Sequence, residues 1–474
     1  METTRAAMDS TRRSFLKKTA YVTAGFTGLG RYVATAEDPQ AYHNEVDQFG
    51  PLVADPARIL DLPEGFSYVV LSRTGDFMSD GYRVPGAPDG MAAFAGASGQ
   101  AIIVRNHELT PDRTFQGPYG VRNELFGRID RGKLYDAGKG QRPHLGGTTT
   151  IVYDLQKQSV VREFLSLVGT SRNCAGGLTP WNSWVTCEET VELKGEFSEA
   201  DHGYNFEVPV TSEPRLATPV PLKAMGRFNH EAIAVHPKTG IVYQTEDRGD
   251  GLIYRFLPNT YGDLAAGGKL QVLGLKDYNP GDTRNWPEIG GKKIPVGQPL
   301  DVVWMDIDNV ESPSDDLRVR GRALGAVPFA RGEGMWYGRD DFYFACTSGG
   351  AAKKGQIFRY KPSVYEATER EKEAPGTLEL FIEPNDIHLV EYCDNVTVAP
   401  WGDLIIAEDG VGKNYLRGIT PDGKIYTLAN NGYRGQAEFC GVCFAPNHPT
   451  LFVNIQTPGI TLAVTGPWDQ VRRH

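Results

Sequence analysis

The chain has 474 residues, 40% of them hydrophobic and 10% aromatic, enough apolar material for a large core, which excludes general disorder. Its formal charge is −10, from 49 basic and 59 acidic residues, which excludes a nucleic-acid binder that works by neutralising phosphates. No run of eighteen apolar residues occurs, so no membrane span is expected. Glycine is high at 55 residues, a sign of many tight turns.

Residues 1–36 differ from the rest. Ser10-Thr11-Arg12-Arg13-Ser14-Phe15-Leu16-Lys17 carries paired arginines, followed by a weakly apolar run from Thr19 to Gly30 and the small-residue site Ala34-Thr35-Ala36. This order reads as a twin-arginine export signal, which implies the twin-arginine translocation machinery as a partner and a periplasmic or extracellular destination. That route carries proteins already folded, often with metal installed. Removing the segment takes the charge to about −14. Six cysteines in an exported chain of this length permit disulfides but are too few for a disulfide scaffold. Cys440-Gly441-Val442-Cys443 has no second such pair, so it makes a poor zinc knuckle.

From residue 37 onward one pattern recurs: a short apolar strand, a tight turn, a returning strand and a polar end. The first copy runs from Asp89-Gly90-Met91 through Ser98-Gly99 to Asn106-His107-Glu108. The second starts at Cys174, turns at Pro180-Trp181-Asn182 and ends at Cys187-Glu188-Glu189. The third runs from Asn229-His230-Glu231 to Glu246-Asp247, and the fourth from Glu333 to Cys346-Thr347. The fifth runs from Cys393-Asp394-Asn395 through Pro400-Trp401-Gly402-Asp403 to Glu408-Asp409, and the sixth from Cys440 to Asn454. Third strands are expected at 149–153, 251–256, 355–360 and 423–428, and fourth strands at 162–167, 270–275 and 378–383. These copies predict an all-β, six-bladed β-propeller over 37–474, with loops and a short helix from Lys276 to Arg331 lying over one face. Phe66 to Leu71 is expected to complete the last blade. A pair of β-sandwiches is the rival architecture.

In a propeller the start of each innermost strand and the end of its partner lie at the same end of the central channel. Here those positions hold Cys174, Glu231, Glu333 and Asp394, and Glu108, Glu188, Glu189, Glu246, Asp247, Glu408 and Asp409. So many carboxylates at one narrow opening repel one another unless cations neutralise them. Oxygen ligands in that number suit Ca²⁺, and a thiolate among them suits a transition metal, iron being a candidate. His107 and His230 are read as hydrogen-bonding channel residues rather than ligands. No nucleophile elbow, zinc-protease helix, phosphate-binding loop or dinucleotide fingerprint occurs.

The block Asn173-Cys174-Ala175-Gly176-Gly177-x-Thr179-Pro180-Trp181-x-x-Trp184-x-Thr186-Cys187-Glu188-Glu189 resembles the signature of the PhoX-type alkaline phosphatases. Asn229-His230-Glu231, Arg331-x-Glu333-Gly334, Asp394-Asn395, Glu408-Asp409 and the paired-arginine leader agree with it. The resemblance implies a six-bladed propeller with an iron–calcium cluster (Fe³⁺ and Ca²⁺) in its channel, hydrolysing small phosphomonoesters outside the cytoplasm, as an expected monomer. It implies Cys174, Glu231 and Glu333 as iron ligands, Glu108, Glu188, Glu189, Asp394 and Glu408 as calcium or bridging ligands, and Arg331 as the phosphate contact. Two other readings stay open: a calcium-dependent propeller esterase or lactonase, and a non-catalytic exported propeller stabilised by metal.

Overall fold

The computed structural model describes residues 42–97, 99–278, 281–433 and 437–471. The export segment expected at 1–36 lies outside the described residues, as does Ser98 of the first hairpin turn.

Six strands form the centre: Pro88–Ala95 in blade 1, Asn173–Leu178 in blade 2, His230–Val235 in blade 3, Gly332–Tyr337 in blade 4, Cys393–Val398 in blade 5 and Phe439–Phe444 in blade 6. Each packs against the next, and blade 6 packs against blade 1, so the ring closes. Their antiparallel partners are Gln100–His107, Ser183–Glu188, Val242–Glu246, Phe342–Cys346, Leu404–Glu408 and Thr450–Ile455. Local sequence explains the hairpins. The turns of blades 2, 5 and 6 place Asn182, Gly402 and Asn447 at φ 65°, 108° and 55°, the left-handed region that asparagine and glycine tolerate.

Outer strands complete the blades. Blade 1 adds Gly146–Asp154 and Ser159–Thr170, and blade 2, among the described residues, adds only Asn205–Pro209. In blade 6, Ser67–Arg73 from the start of the chain pairs with Ile460–Thr465 near its end, which closes the ring with hydrogen bonds and makes Ser67–Arg73 the outer strand of that blade.

Two strand expectations change. Residues 423–428 do not form the third strand of blade 5. That place is taken by Tyr415–Ile419, and Ile425–Asn431 is the fourth strand, with Leu60–Pro63 paired beyond it. The loop expected from Lys276 to Arg331 contains a strand, Leu300–Asp306, besides the helix Leu317–Leu324. This strand pairs antiparallel with the fourth strands of both blade 3, Asp263–Leu275, and blade 4, Thr377–Ile382, and joins the two blades into one nine-stranded sheet. Its alternation is masked because Asp301 and Asp306 sit in it and it has no hairpin turn of its own.

The core lies between neighbouring blades. Tyr243, Phe342, Phe344, Phe358 and Tyr360 fill the space between blades 3 and 4. Leu60, Ile405, Leu416, Phe439, Val453 and Leu462 fill that between blades 5 and 6. Each such buried side chain contributes about 1.5–3 kcal/mol, so the inter-blade faces hold the channel rigid.

Candidate metal centre and active site

All six blades repeat one local geometry. The first paired residues of the inner hairpins are Pro88 with His107, Asn173 with Glu188, His230 with Glu246, Gly332 with Cys346, Cys393 with Glu408 and Phe439 with Ile455. Within the next residues every one of these ladders slips by one position. Such a bulge re-aims the side chains beside it. The residues that follow the first pair are Asp89, Cys174, Glu231, Glu333, Asp394 and Cys440, one per blade.

A second set follows the returning strands: Glu108, Glu189, Asp247, Thr347, Asp409 and Gln456. Their backbone N–H groups donate to the carbonyls of Ala87, Arg172, Asn229, Arg331, Tyr392 and Glu438, at 2.9 to 3.2 Å, the same bond in each blade. Bonds between blades lock the arrangement. Asn106 Nδ2 donates to Cys174 O, Thr245 Oγ1 to Glu333 O, Thr347 Oγ1 to Cys393 O and Asn454 Nδ2 to Asp89 O. Trp184 Nε1 in turn donates to Asn106 Oδ1, so the tryptophan of the Cys174 block steadies the strand that carries the thiol.

These two sets converge. Candidate ligand atoms lie within 4.8 Å of one another in four overlapping groups: Asp89, Glu108 and Cys174; Cys174, Glu189 and Glu231; Glu231, Glu333 and Asp394; and Asp89, Glu438 and Cys440. Of the residues singled out in the sequence, Cys174, Glu231, Glu333, Glu108, Glu189 and Asp394 are brought together here. Below them the strands approach closely. A Cβ on Gly90 would lie 2.5 Å from Ala175 Cα, and one on Gly334 would lie 2.7 Å from Asn395 Cα. Glycine at these two places is a packing requirement.

Glu188 and Glu408 stand elsewhere. Glu188 Oε1 accepts from Ser171 N and pairs with His202 Nδ1, and its Oε2 accepts from Gly203 N and Tyr204 N. Glu408 accepts from Glu391 N, Tyr415 N and Arg417 Nε. Successive side chains of a strand point to opposite faces. Of each acidic pair, the second member therefore turns to the channel and the first turns into the loop between the second and third strands. Glu246 obeys the same rule, bonded to Leu252 N and the Tyr254 hydroxyl. His107 is held at both ring nitrogens, by Gly86 O and Thr149 Oγ1, as expected of a structural histidine; His230 is held by Gly226 O against the Phe228 ring, its Nδ1 buried without a partner among the described residues.

Electrostatics set the converging groups apart. Glu231 is fully buried, and neither carboxylate oxygen has a hydrogen-bond partner among the described residues. Burial, reinforced by Glu333, Glu189, Asp394 and Asp89, pushes its carboxyl well up. Burial and the neighbouring acids also raise Glu333 and Asp89, and lift Asp394 to about 7. The Cys174 and Cys440 thiols rise for the same reasons. An unpartnered buried carboxylate costs several kcal/mol, about 3–5 where a partner has been removed, so this cluster is arranged for cations.

Two arginines face it. Arg331 donates through Nε and Nη2 to Asp247 and through Nη2 to Glu333, at 2.9, 3.2 and 2.6 Å. Arg172 donates through Nε and Nη2 to Glu108, at 3.2 and 3.0 Å, and through Nη2 to Glu189 at 2.5 Å.

Comparison with known proteins agrees with this geometry. The profile of the family described as alkaline phosphatase PhoX matches residues 47–153 and 140–459. The chain belongs to the PhoX family of alkaline phosphatases. It is thereby a phosphomonoester hydrolase, in a family that depends on metal. Among solved structures, PhoX of Pseudomonas fluorescens, in complex with vanadate as a transition-state analogue, is 17% identical with a TM-score of 0.64. The match covers 91% of this chain and 98% of that one, and it shows the same propeller fold. A gluconolactonase of Xanthomonas campestris is 11% identical with a TM-score of 0.39, over 90% of this chain and 100% of that one. No curated protein matches the chain.

Sequence reasoning did not single out Asp89, Cys440, Glu438 or Arg172 as site residues. Asp89 and Cys440 were visible as the starts of the first and sixth copies, one residue after the first strand pair. Aligning the copies on the bulge rather than on the acids would have found both, with Arg172 beside Arg331.

Proposed function

We propose that this chain is an exported phosphomonoesterase whose channel acids hold calcium and iron. The observation that carries the reading is Glu231, a fully buried carboxylate without a hydrogen-bond partner, packed among Cys174, Glu189, Glu333 and Asp394. That donor set fits metal. Glu108, Glu189, Asp394 and Asp89 offer the hard oxygens calcium prefers, and Cys174 with Glu231 and Glu333 offers a thiolate–carboxylate set suited to iron. Bound there, such cations would reverse the local negative charge, lower the pKa of a bound water and stabilise the attacking and leaving oxygens of a phosphoryl transfer.

The chain's own residues do the rest. An acidic protein repels a phosphate dianion at a distance, so recognition must come from fixed local groups. Arg331 is such a group. Its backbone stands at φ 57°, and Asp247 and Glu333 grip its Nε and Nη2. Its Nη1 makes no hydrogen bond among the described residues and is free to meet a phosphoryl oxygen. A planar, prefixed donor strengthens as charge grows on the equatorial oxygens. Asn106, Thr245 and Thr347 hold the backbone carbonyls of the ligand strands, which keeps the acids in place as charge moves.

A lactonase would draw on a histidine acid or base beside the channel cation. His107 has both ring nitrogens bonded, and His230, though its Nδ1 has no partner among the described residues, is bonded at Nε2 to Gly226 O and stacked on Phe228; the commitment of His107 favours the phosphatase reading. Elemental analysis of the purified protein, with parallel assays on a phosphomonoester and a lactone, tests it. Iron and calcium with monoester cleavage are expected, together with a visible thiolate-to-iron absorption that disappears in Cys174→Ala. Calcium alone without monoester cleavage would overturn the reading.

A further inference from the structure

Arg172 and Arg331 occupy one position in two blades. Each is the residue immediately before the first paired residue of its innermost strand, in blades 2 and 4. Each has a left-handed backbone, φ 49° and 57°. Each gives its carbonyl to the N–H that follows its partner strand, Glu189 N and Thr347 N. Their side chains are exposed to the same extent, 38% and 37%. Both commit Nε and Nη2 to carboxylates, and neither Nη1 makes a hydrogen bond among the described residues.

Their acids adjoin. Glu189, the partner of Arg172, lies close enough to Asp247, the partner of Arg331, for the like charges to oppose each other. A continuous arc therefore runs along one side of the channel mouth: Glu108, Arg172, Glu189, Asp247, Arg331, Glu333. Two guanidiniums are set among four carboxylates along it, and its Glu189 and Glu333 both group with Glu231, the orphaned acid of blade 3.

We propose that Arg172 is a second substrate-contacting arginine, which with Arg331 grips the phosphoryl group from two directions and selects dianionic monoesters over monoanionic diesters. The proposal rests on the phosphatase reading above. Cations held on Glu108, Glu189 and Glu333 would satisfy the charge those acids direct at the guanidiniums. The free Nη1 edges are then left for an anion. Two fixed guanidiniums match a monoester dianion, with its three non-bridging oxygens and two charges, better than a diester, which offers two oxygens and one charge. A merely structural role for Arg172 would use its outward edge as well, or bury it, and it does neither.

The test compares Arg172→Ala, Arg172→Lys and Arg331→Ala with the wild-type protein, each purified with its metals and assayed for metal content. The readouts are inhibition by inorganic phosphate and kcat/KM for p-nitrophenyl phosphate and for bis-p-nitrophenyl phosphate. Arg172→Ala is expected to lower monoester kcat/KM about 100-fold, as loss of one prefixed donor does. It should weaken phosphate inhibition about tenfold and lower the monoester-to-diester ratio. Arg172→Lys, which keeps the charge but not the fork, should recover only part of each. If Arg172→Ala releases metal because Glu108 and Glu189 lose their partner, the lysine variant decides. Unchanged phosphate inhibition and an unchanged ratio in a metal-replete Arg172 variant overturn the proposal while the phosphatase reading stands. Wild-type protein that neither cleaves the monoester nor binds phosphate sinks both.

Discussion

Glu188 and Glu189 are adjacent in the chain and stand in opposite environments. Glu188 is completely buried, yet both its oxygens are bonded, to three backbone N–H groups and His202. Glu189 faces Arg172, Cys174 and Glu231, and burial among like charges lifts its carboxyl to about 9. The same division separates Glu408 from Asp409 and Glu246 from Asp247. One residue of strand pleat decides whether an acid holds the fold or faces the channel. Outward, Glu188 and Glu408 are satisfied by the protein alone, while Glu246 is bonded through Oε2 only. Inward, arginines hold Glu108, Glu189 and Asp247, but Glu231 has no partner among the described residues, and the charge of the group is balanced only with cations added.

The sharpest way to break this comparison is to neutralise an inward acid. Glu231→Gln should abolish bound iron and lower activity by about a thousandfold or more, since it removes a ligand and not a peripheral donor. In protein stripped by a chelator the same change should raise the melting temperature, because an unpartnered buried carboxylate is gone. Elemental analysis and a melt in chelator check both halves. Glu408→Gln should act the other way round. It breaks a buried pair with Arg417 and should cost about 3–5 kcal/mol of stability by denaturant melt, while metal per folded molecule stays unchanged.

A third prediction concerns the ligand strands. Gly334→Ala puts a methyl against the Asn395 backbone, so the strand carrying Glu333 must shift. Activity should fall about tenfold or more through misplacement, with metal affinity reduced and the fold kept by circular dichroism. The smallest effect concerns pH. Burial lowers the His202 pKa, but Glu188 and Asp136, which hold its two nitrogens, outweigh burial and raise it from the usual 6.5 to about 10, while His144 stacks on its face. Its charged form therefore stabilises the fold fully below about pH 6.5, and that contribution fades as the pH rises through about 10. His202→Asn should be less stable at neutral pH, and the gap to wild type should narrow toward pH 10 in thermal melts.

Much of this was legible in the sequence. The hairpin turns, the recurrence of polar strand ends and the closing strand near the N-terminus follow from local chemistry that tertiary packing did not override. The strand Leu300–Asp306 was hidden because it pairs only with distant outer strands. The division between Glu188 and Glu189 was hidden because two adjacent acids look alike until the bulge fixes which one points inward. Arg172 was hidden because no acid motif surrounds it in the chain. Its partner Glu189 reaches it across the hairpin of its own blade, and Glu108 only when blades 1 and 2 meet.

The most direct test of the central claim is metal content in two variants one residue apart, Glu189→Gln and Glu188→Gln, measured by elemental analysis on folded protein. The account predicts that Glu189→Gln loses bound cations while its chelator-stripped form melts no lower than stripped wild type. It predicts that Glu188→Gln keeps its full metal complement per folded molecule but melts at a lower temperature. Metal lost from the Glu188 variant and retained in the Glu189 variant would contradict it.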